Sequence, residues 1–293
     1  MHPLRTLGLI VLSLALGACS PQSLLVHRVA DELAGQGQAP EDDVVLARDA
    51  SAFYLKLSES VLRRTPGHLP LAESVAGGFT QYAYAFVAFE AERLESQDAR
   101  AAQRLRERAA RLYLRAHRHA MSALEVHSPG LRAALSRSVA AERVPQLSAE
   151  QVGVAYWAAA SWGGYIALSK DKPEVVADLP LAVRLAGLAW AREPAYAEGA
   201  LASLMGTLEA ARPGGNRVQA LAYFDQAVAA GAGMNAAPYV AKAEGVALPS
   251  GDRQAFESLL RQAIHASTQR RDLSNEVMRQ RAEWLLDTAD DRF

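Results

Sequence analysis

From Val44 to Phe293 the chain is rich in Ala, Leu, Arg and Glu, and its apolar residues recur every three or four positions rather than every two. That period allows helices and little else. Breaker clusters interrupt it at Pro66-Gly67, Ser128-Pro129-Gly130, Asp171-Lys172-Pro173, Pro194, Pro213-Gly214-Gly215, Gly231 to Gly233 and Pro249-Ser250-Gly251. Between them the pattern predicts helices over about 45–65, 70–95, 99–125, 129–141, 149–169, 178–192, 197–211, 217–230, 236–247, 252–267 and 273–289. The fold class is therefore all-α, and long helices alternating with short breakers predict helical hairpins stacked in series.

A repeat test sharpens this. The tetratricopeptide unit places small residues where its two helices touch, as Ala, an aromatic four on, Ala three further on, then Pro. Ala182, Ala186, Ala189 and Pro194 fill the four slots; Ala220, Phe224, Ala227 and Ala109, Tyr113, Ala116 each fill three; Ala255, Leu259 and Gln262 read as a degraded copy. The third-slot residues Ala189, Ala227 and Gln262 are 38 and 35 apart, close to the roughly 34-residue period of that repeat. The domain over residues 45–293 is thus expected to hold cryptic tetratricopeptide-like repeats. An Ala-rich bundle with chance matches is the alternative.

The N-terminus sets the address. Arg5 precedes an apolar run from Leu7 to Leu16, and Leu16-Gly17-Ala18 leads into Cys19, the only cysteine. The run is too short to span a bilayer, and small residues before a cysteine mark a bacterial lipoprotein signal peptide over residues 1–18. Cys19 is the expected lipid-attachment residue. Multiple acyl chains would hold it to the membrane, on the periplasmic side, and Ser20 favours the outer membrane. Residues 19–44, with Gly35, Gly37, Pro40 and Glu41-Asp42-Asp43, read as a lipidated tether, which if flexible would let the body stand roughly 25 Å off the membrane.

Composition excludes several partners. With 31 Lys+Arg against 32 Asp+Glu, interspersed, no basic stripe for nucleic acid is present. No phosphate loop, nucleophile elbow or H-E-x-x-H motif occurs, so the chain is not expected to be an enzyme or to carry a cofactor or metal. His117 and His119 are two apart on one helix, pointing about 200° from each other, and with His127 read as solvated surface histidines. The acidic pairs Asp42-Asp43 and Asp290-Asp291 lack a partner that would make them a general acid and base.

The densest aromatic cluster is Tyr156-Trp157 followed by Ser161-Trp162-Gly163-Gly164-Tyr165. Consecutive glycines cost about 1 kcal/mol each inside a helix, so close packing must compensate. Tight interhelical packing is one reading. An aromatic-lined groove for an apolar ligand or a partner segment, lined by Trp157, Trp162 and Tyr165, is the other. On the last helix Trp284 could supply a second wall, and Arg279 a planar fork for a carboxylate head; Arg279 could instead pair with a nearby acid.

The run from Trp157 to Asp171, then Ala177-Asp178-Leu179-Pro180, then Glu193-Pro194-Ala195-Tyr196 with Gly199-Ala200-Leu201, resembles the T-component family of tripartite ATP-independent periplasmic (TRAP) transporters. Gly77 to Phe86 and the stretch Arg279 to Phe293 are similar to it too. The resemblance departs at Gly164, where a larger residue is expected. It implies a lipid-anchored all-α protein that binds the periplasmic solute-binding P component of a TRAP transporter, assembles as a homo-oligomer such as a trimer, and offers an apolar channel. A general tetratricopeptide scaffold in the bacterial envelope, with no ligand of its own, is the other class of function.

Overall fold

The computed structural model describes residues 21–36, 41–136 and 146–293, and no strand occurs among them. The helices are α1 Pro21–Gln36, α2 Val44–Leu62, α3 Leu69–Tyr82, α4 Phe89–Leu94, α5 Ala99–His127, α6 Leu131–Ser136, α7 Val152–Ala167, α8 Pro173–Val176, α9 Leu179–Arg192, α10 Tyr196–Ala211, α11 Arg217–Ala230, α12 Ala237–Lys242, α13 Arg253–Gln269 and α14 Leu273–Asp287. Side-chain caps fix where several begin. Asp43, Asp98, Asn216, Asp252 and Asp272 each accept a backbone N–H from the first turn of α2, α5, α11, α13 and α14, a contact worth about 1 kcal/mol per helix.

Two π-helical segments interrupt this regularity. Ala83–Ala88 joins α3 to α4, and Ala243–Ala247 follows α12. Such segments insert an extra residue per turn, re-aim the side chains around them and are frequent at functional sites.

Neighbours in sequence pack in series: α3 on α5, α5 on α7, α7 on α9, α9 on α10, α10 on α11, α12 on α13 and α13 on α14. The last helix then comes back to the first ones. α14 touches α2, and its Arg281 and Met278 reach Glu92 and Tyr84.

The expected contact residues are in the core. Ala182, Ala186, Ala189, Ala220, Phe224, Ala227, Ala109 and Ala116 are fully buried, and Tyr113 nearly so. In α13 the register differs by one position. Phe256, Leu260 and Ala263 are buried, whereas Gln262 is exposed, because the largest apolar residue of that helix takes the inward slot and carries its i+4 and i+7 neighbours with it.

The N-terminal stretch also departs from expectation. Residues read as flexible tether form α1, which packs on α3 and α2 with Ala30 and Leu33 in the main core. His68 pairs with Asp31 at 2.9 Å, and the Tyr54 hydroxyl donates to the Leu33 carbonyl. The apolar positions Val26, Ala30 and Leu33, spaced i, i+4, i+7, drive this docking despite the breakers that follow. Cys19 and the signal segment lie outside the described residues. No described helix is long and apolar enough to cross a membrane.

Candidate functional site

The aromatic cluster of α7 is held by glycines on its neighbours. Trp157 lies flat against Gly77 of α3, so close that a Cβ there would sit 2.8 Å from the indole; Gly164 likewise seats the ring of Tyr113 from α5, at 2.8 Å. Each glycine's helix-propensity cost is offset by an aromatic face packed where a methyl group would stand. The small residue at position 164, an outlier in the resemblance, is explained by that ring.

From Trp157 the rings continue inward. Tyr156 meets Trp157 edge-on with centroids 4.7 Å apart, and Tyr196 of α10 at 5.3 Å. The Tyr196 hydroxyl donates to the Glu73 carboxylate of α3 at 2.6 Å. Burial pushes the Tyr156 phenol up to about 12, although Tyr156, Trp157, Tyr165, Tyr196 and Glu73 all retain accessible surface.

The chain is strained to put Tyr196 there. Ala197, Glu198 and Gly199 follow with φ of 49°, 50° and 93°, a left-handed run costing roughly 1–2 kcal/mol at each non-glycine residue. The surroundings hold it. Arg270 binds Glu198 at 2.6 Å, Asn235 Nδ2 donates to the Glu198 carbonyl at 3.1 Å, and Gly199 rests against the Ala227 backbone so closely that a Cβ would lie 2.6 Å from its carbonyl oxygen.

Trp162 is turned into the core, 9% exposed, with its ring 4.4 Å from that of His117. His117 Nδ1 donates to the Ala158 carbonyl at 3.0 Å, and burial lowers its imidazole to about 4. His119 binds Glu59, and His127 Nε2 lies 2.7 Å from the Gly67 carbonyl. His117 and His119 are therefore partly buried ties to other helices rather than solvated surface groups, whereas His127 is exposed, as expected, and binds the turn at Gly67; each contacts a residue more than 40 positions away.

On α14 the structure separates Arg279 from Arg281. Arg279 pairs with Glu276 and, at 2.5 Å, with Glu283, both on its own helix. Arg281 is 5% exposed and sits where the two π segments converge. Its Nε and Nη2 grip Glu244 of the second π segment at 2.9 and 2.6 Å, and Nη2 reaches Glu92 of α4 at 3.0 Å. Its guanidinium carbon is 5.4 Å from the Tyr84 ring, 5.3 Å from Phe89 and 6.0 Å from Trp284. Nη1 has no hydrogen-bond partner among the described residues, and the guanidinium rests among those rings. Burial alone would lower the guanidinium; Tyr84, Glu244 and Glu92 more than offset it and keep it charged.

Trp284, half-buried, packs edge-on to Phe89 at 5.4 Å and under Arg292 at 4.6 Å. It belongs to the Arg281 centre, not to the Trp157 cluster. Tyr156 stood in the aromatic cluster of the sequence, but Glu73, Tyr196 and Arg281 were given no role of their own there. A signal existed for the last: Arg279 has acids at i−3 and i+4 on its own helix, which leaves Arg281 as the fork turned elsewhere.

The family model described as "TRAP transporter T-component" matches residues 40–293, from just before α2 to the end of the chain. The chain belongs to the TRAP T-component family. It is also similar to an uncharacterized protein of Treponema pallidum (strain Nichols), 26% identical over 271 residues that cover 86% of this chain and 81% of that one. Membership suggests an accessory role in TRAP transport and association with the cell envelope. Of the T-component chain described here, α1 alone lies wholly before the matched residues.

Proposed function

We propose that this T-component is a lipid-anchored accessory protein on the periplasmic face of the envelope, at the outer membrane, that binds the solute-binding P component and holds a small apolar ligand within its helical interior. The observation that carries the reading is the run of partly accessible aromatic rings from Trp157 through Tyr156 to Tyr196, in a chain of this family. The α9–α11 and α12–α14 regions act as tetratricopeptide-like hairpins that frame it, supported by the buried alanines at the helix contacts. Self-association into a trimer is part of the same reading. Leu46, Phe53 and Leu57 lie along one stripe of α2 with Phe53 74% exposed, an apolar surface of the kind that subunits cover.

Co-purification of the full-length chain with its P component, followed by mass spectrometry of the extracted ligand, tests the role. A stable complex with an apolar small molecule is expected. Absence of any complex with the P component sinks it. For the anchor, Cys19→Ser should abolish palmitate labelling and detergent partitioning, and retained labelling would overturn that part.

A further inference from the structure

The carboxylate of Glu73 is partly buried and is held by a neutral donor. Its partner among the described residues is the Tyr196 hydroxyl, and no arginine, lysine or histidine lies within ion-pair distance. The carboxylate rests over Gly153, in the first turn of α7, whose positive end supplies only about half an elementary charge. Tyr196, which binds it, packs on Tyr156, and Tyr156 on Trp157, and all three rings are partly accessible.

We propose that Glu73, with the faces of Tyr156, Trp157 and Tyr196, forms a subsite for a cationic ammonium group on an otherwise apolar ligand. The proposal deepens the interior-ligand reading above by naming the ligand's charge. An ammonium group would pair with the Glu73 carboxylate and with the aromatic rings that follow from Tyr196, the pairing by which proteins recognise alkylated amines. A carboxylate ligand meets the opposite. The other charges at the interior seam, Glu92 and Glu244, are acids that already saturate two nitrogens of Arg281. Arg279 and Arg115 are committed to Glu276 with Glu283 and to Glu59. These three arginines are thus already paired with acids.

Tyr196 strengthens the case. Burial and the neighbouring Glu73 push its phenol well above the usual tyrosine range, so it remains a donor and leaves the carboxylate, not a phenolate, as the acceptor.

The test uses the purified full-length chain and three probes of similar size: benzyltrimethylammonium, benzyl alcohol and benzoate. Calorimetry should rank the ammonium first, at least tenfold tighter than benzoate. Glu73→Gln should weaken the ammonium about tenfold and leave benzyl alcohol within twofold, while Tyr196→Phe, which frees a carboxylate lone pair, should keep the ammonium affinity. Benzoate binding as tightly as the ammonium, no binding of the ammonium, or an unchanged ammonium affinity in a folded Glu73→Gln would each overturn the proposal. If Glu73→Gln loses cooperative melting, Trp157→Leu takes its place: a selective loss for the ammonium supports the subsite, and equal losses for ammonium and alcohol refute it. Co-purification of Glu73→Gln with the P component separates the two ideas. Retained P-component binding with lost ammonium preference isolates the subsite, and ammonium preference in a chain that binds no P component sinks the transport role alone.

Discussion

Among the described residues Glu59 and Arg281 are the two buried ions, and they are satisfied in opposite ways. Glu59 of α2 accepts a bidentate pair from Arg115 at 2.5 Å, and Lys56, Arg63 and His119 complete the shell at 2.7, 3.0 and 2.8 Å. Burial alone would raise its carboxyl, but Arg115, Lys56 and His119 hold it well below the usual carboxylate range. Every oxygen lone pair has a donor. Arg281 has two acids on two of its nitrogens, and the third faces aromatic rings with no acceptor. The first centre locks α2 to α5 inside the main core. The second joins α14 to α4 and to both π segments, at the seam where helices packed in series come back to the first ones. Full satisfaction accompanies a fixed contact, and partial satisfaction a contact between parts that are distant in sequence.

The largest effect should come from breaking the saturated centre. Glu59→Ala leaves Arg115 and its companion cations around an empty position and should cost about 3–5 kcal/mol, read as a lowered midpoint in urea; a loss under 1 kcal/mol would mean the cations simply turn to solvent. Filling an aromatic seat comes next. Gly77→Ala puts a methyl group into the Trp157 indole and should destabilise by about 1–3 kcal/mol despite the gain in helix propensity. Arg281→Met should cost less, about 1 kcal/mol, because Glu92 and Glu244 are 38% and 29% exposed and can rehydrate. If Arg281→Met proved as damaging as Glu59→Ala, the contrast between the two centres would be lost.

The smallest effect is a pH dependence that both regions of the α2–α5–α7 packing share. His117 binds its proton more weakly folded than unfolded, so below about 6.5 the unfolded state takes up more protons and stability falls as pH drops toward about 4. Glu59 acts lower. Its depressed carboxyl gives stability that is present above the unfolded carboxylate range and is lost as pH falls through the folded value. Melting temperature should therefore decline from pH 7 to 4, and His117→Gln should flatten the part above pH 4.5. An identical slope in that variant would show that other groups carry it.

Helix boundaries were the legible part. The expected spans 217–230 and 178–192 match α11 and α9 within a residue, because capping and breaker residues act locally and leave their mark in a few consecutive positions. The face a helix turns inward was less legible. In α13 the Phe256 face displaced the Ala255 face, and in α14 Arg281 was taken inward while Arg279 faced its own acids. Both outcomes depend on partners far along the chain. The left-handed run at Ala197–Gly199 gave no warning in its first two residues, since neither Ala nor Glu prefers that conformation; only the distant clamp of Arg270 and Asn235 makes it stable. The Glu73–Tyr196 pair, 123 residues apart, was invisible for the same reason.

α1 changes the mechanics of attachment. Were residues 21–36 slack, the body would wander through a hemisphere above the bilayer and meet partners in any attitude. If Cys19 carries the proposed lipid, the docking of α1 on α3 would leave Ser20 alone between the anchor and the body, a reach of no more than about 7 Å. The protein would then ride the membrane like a float with a fixed keel. One face would point outward, and a soluble partner would need to find it in two dimensions rather than three.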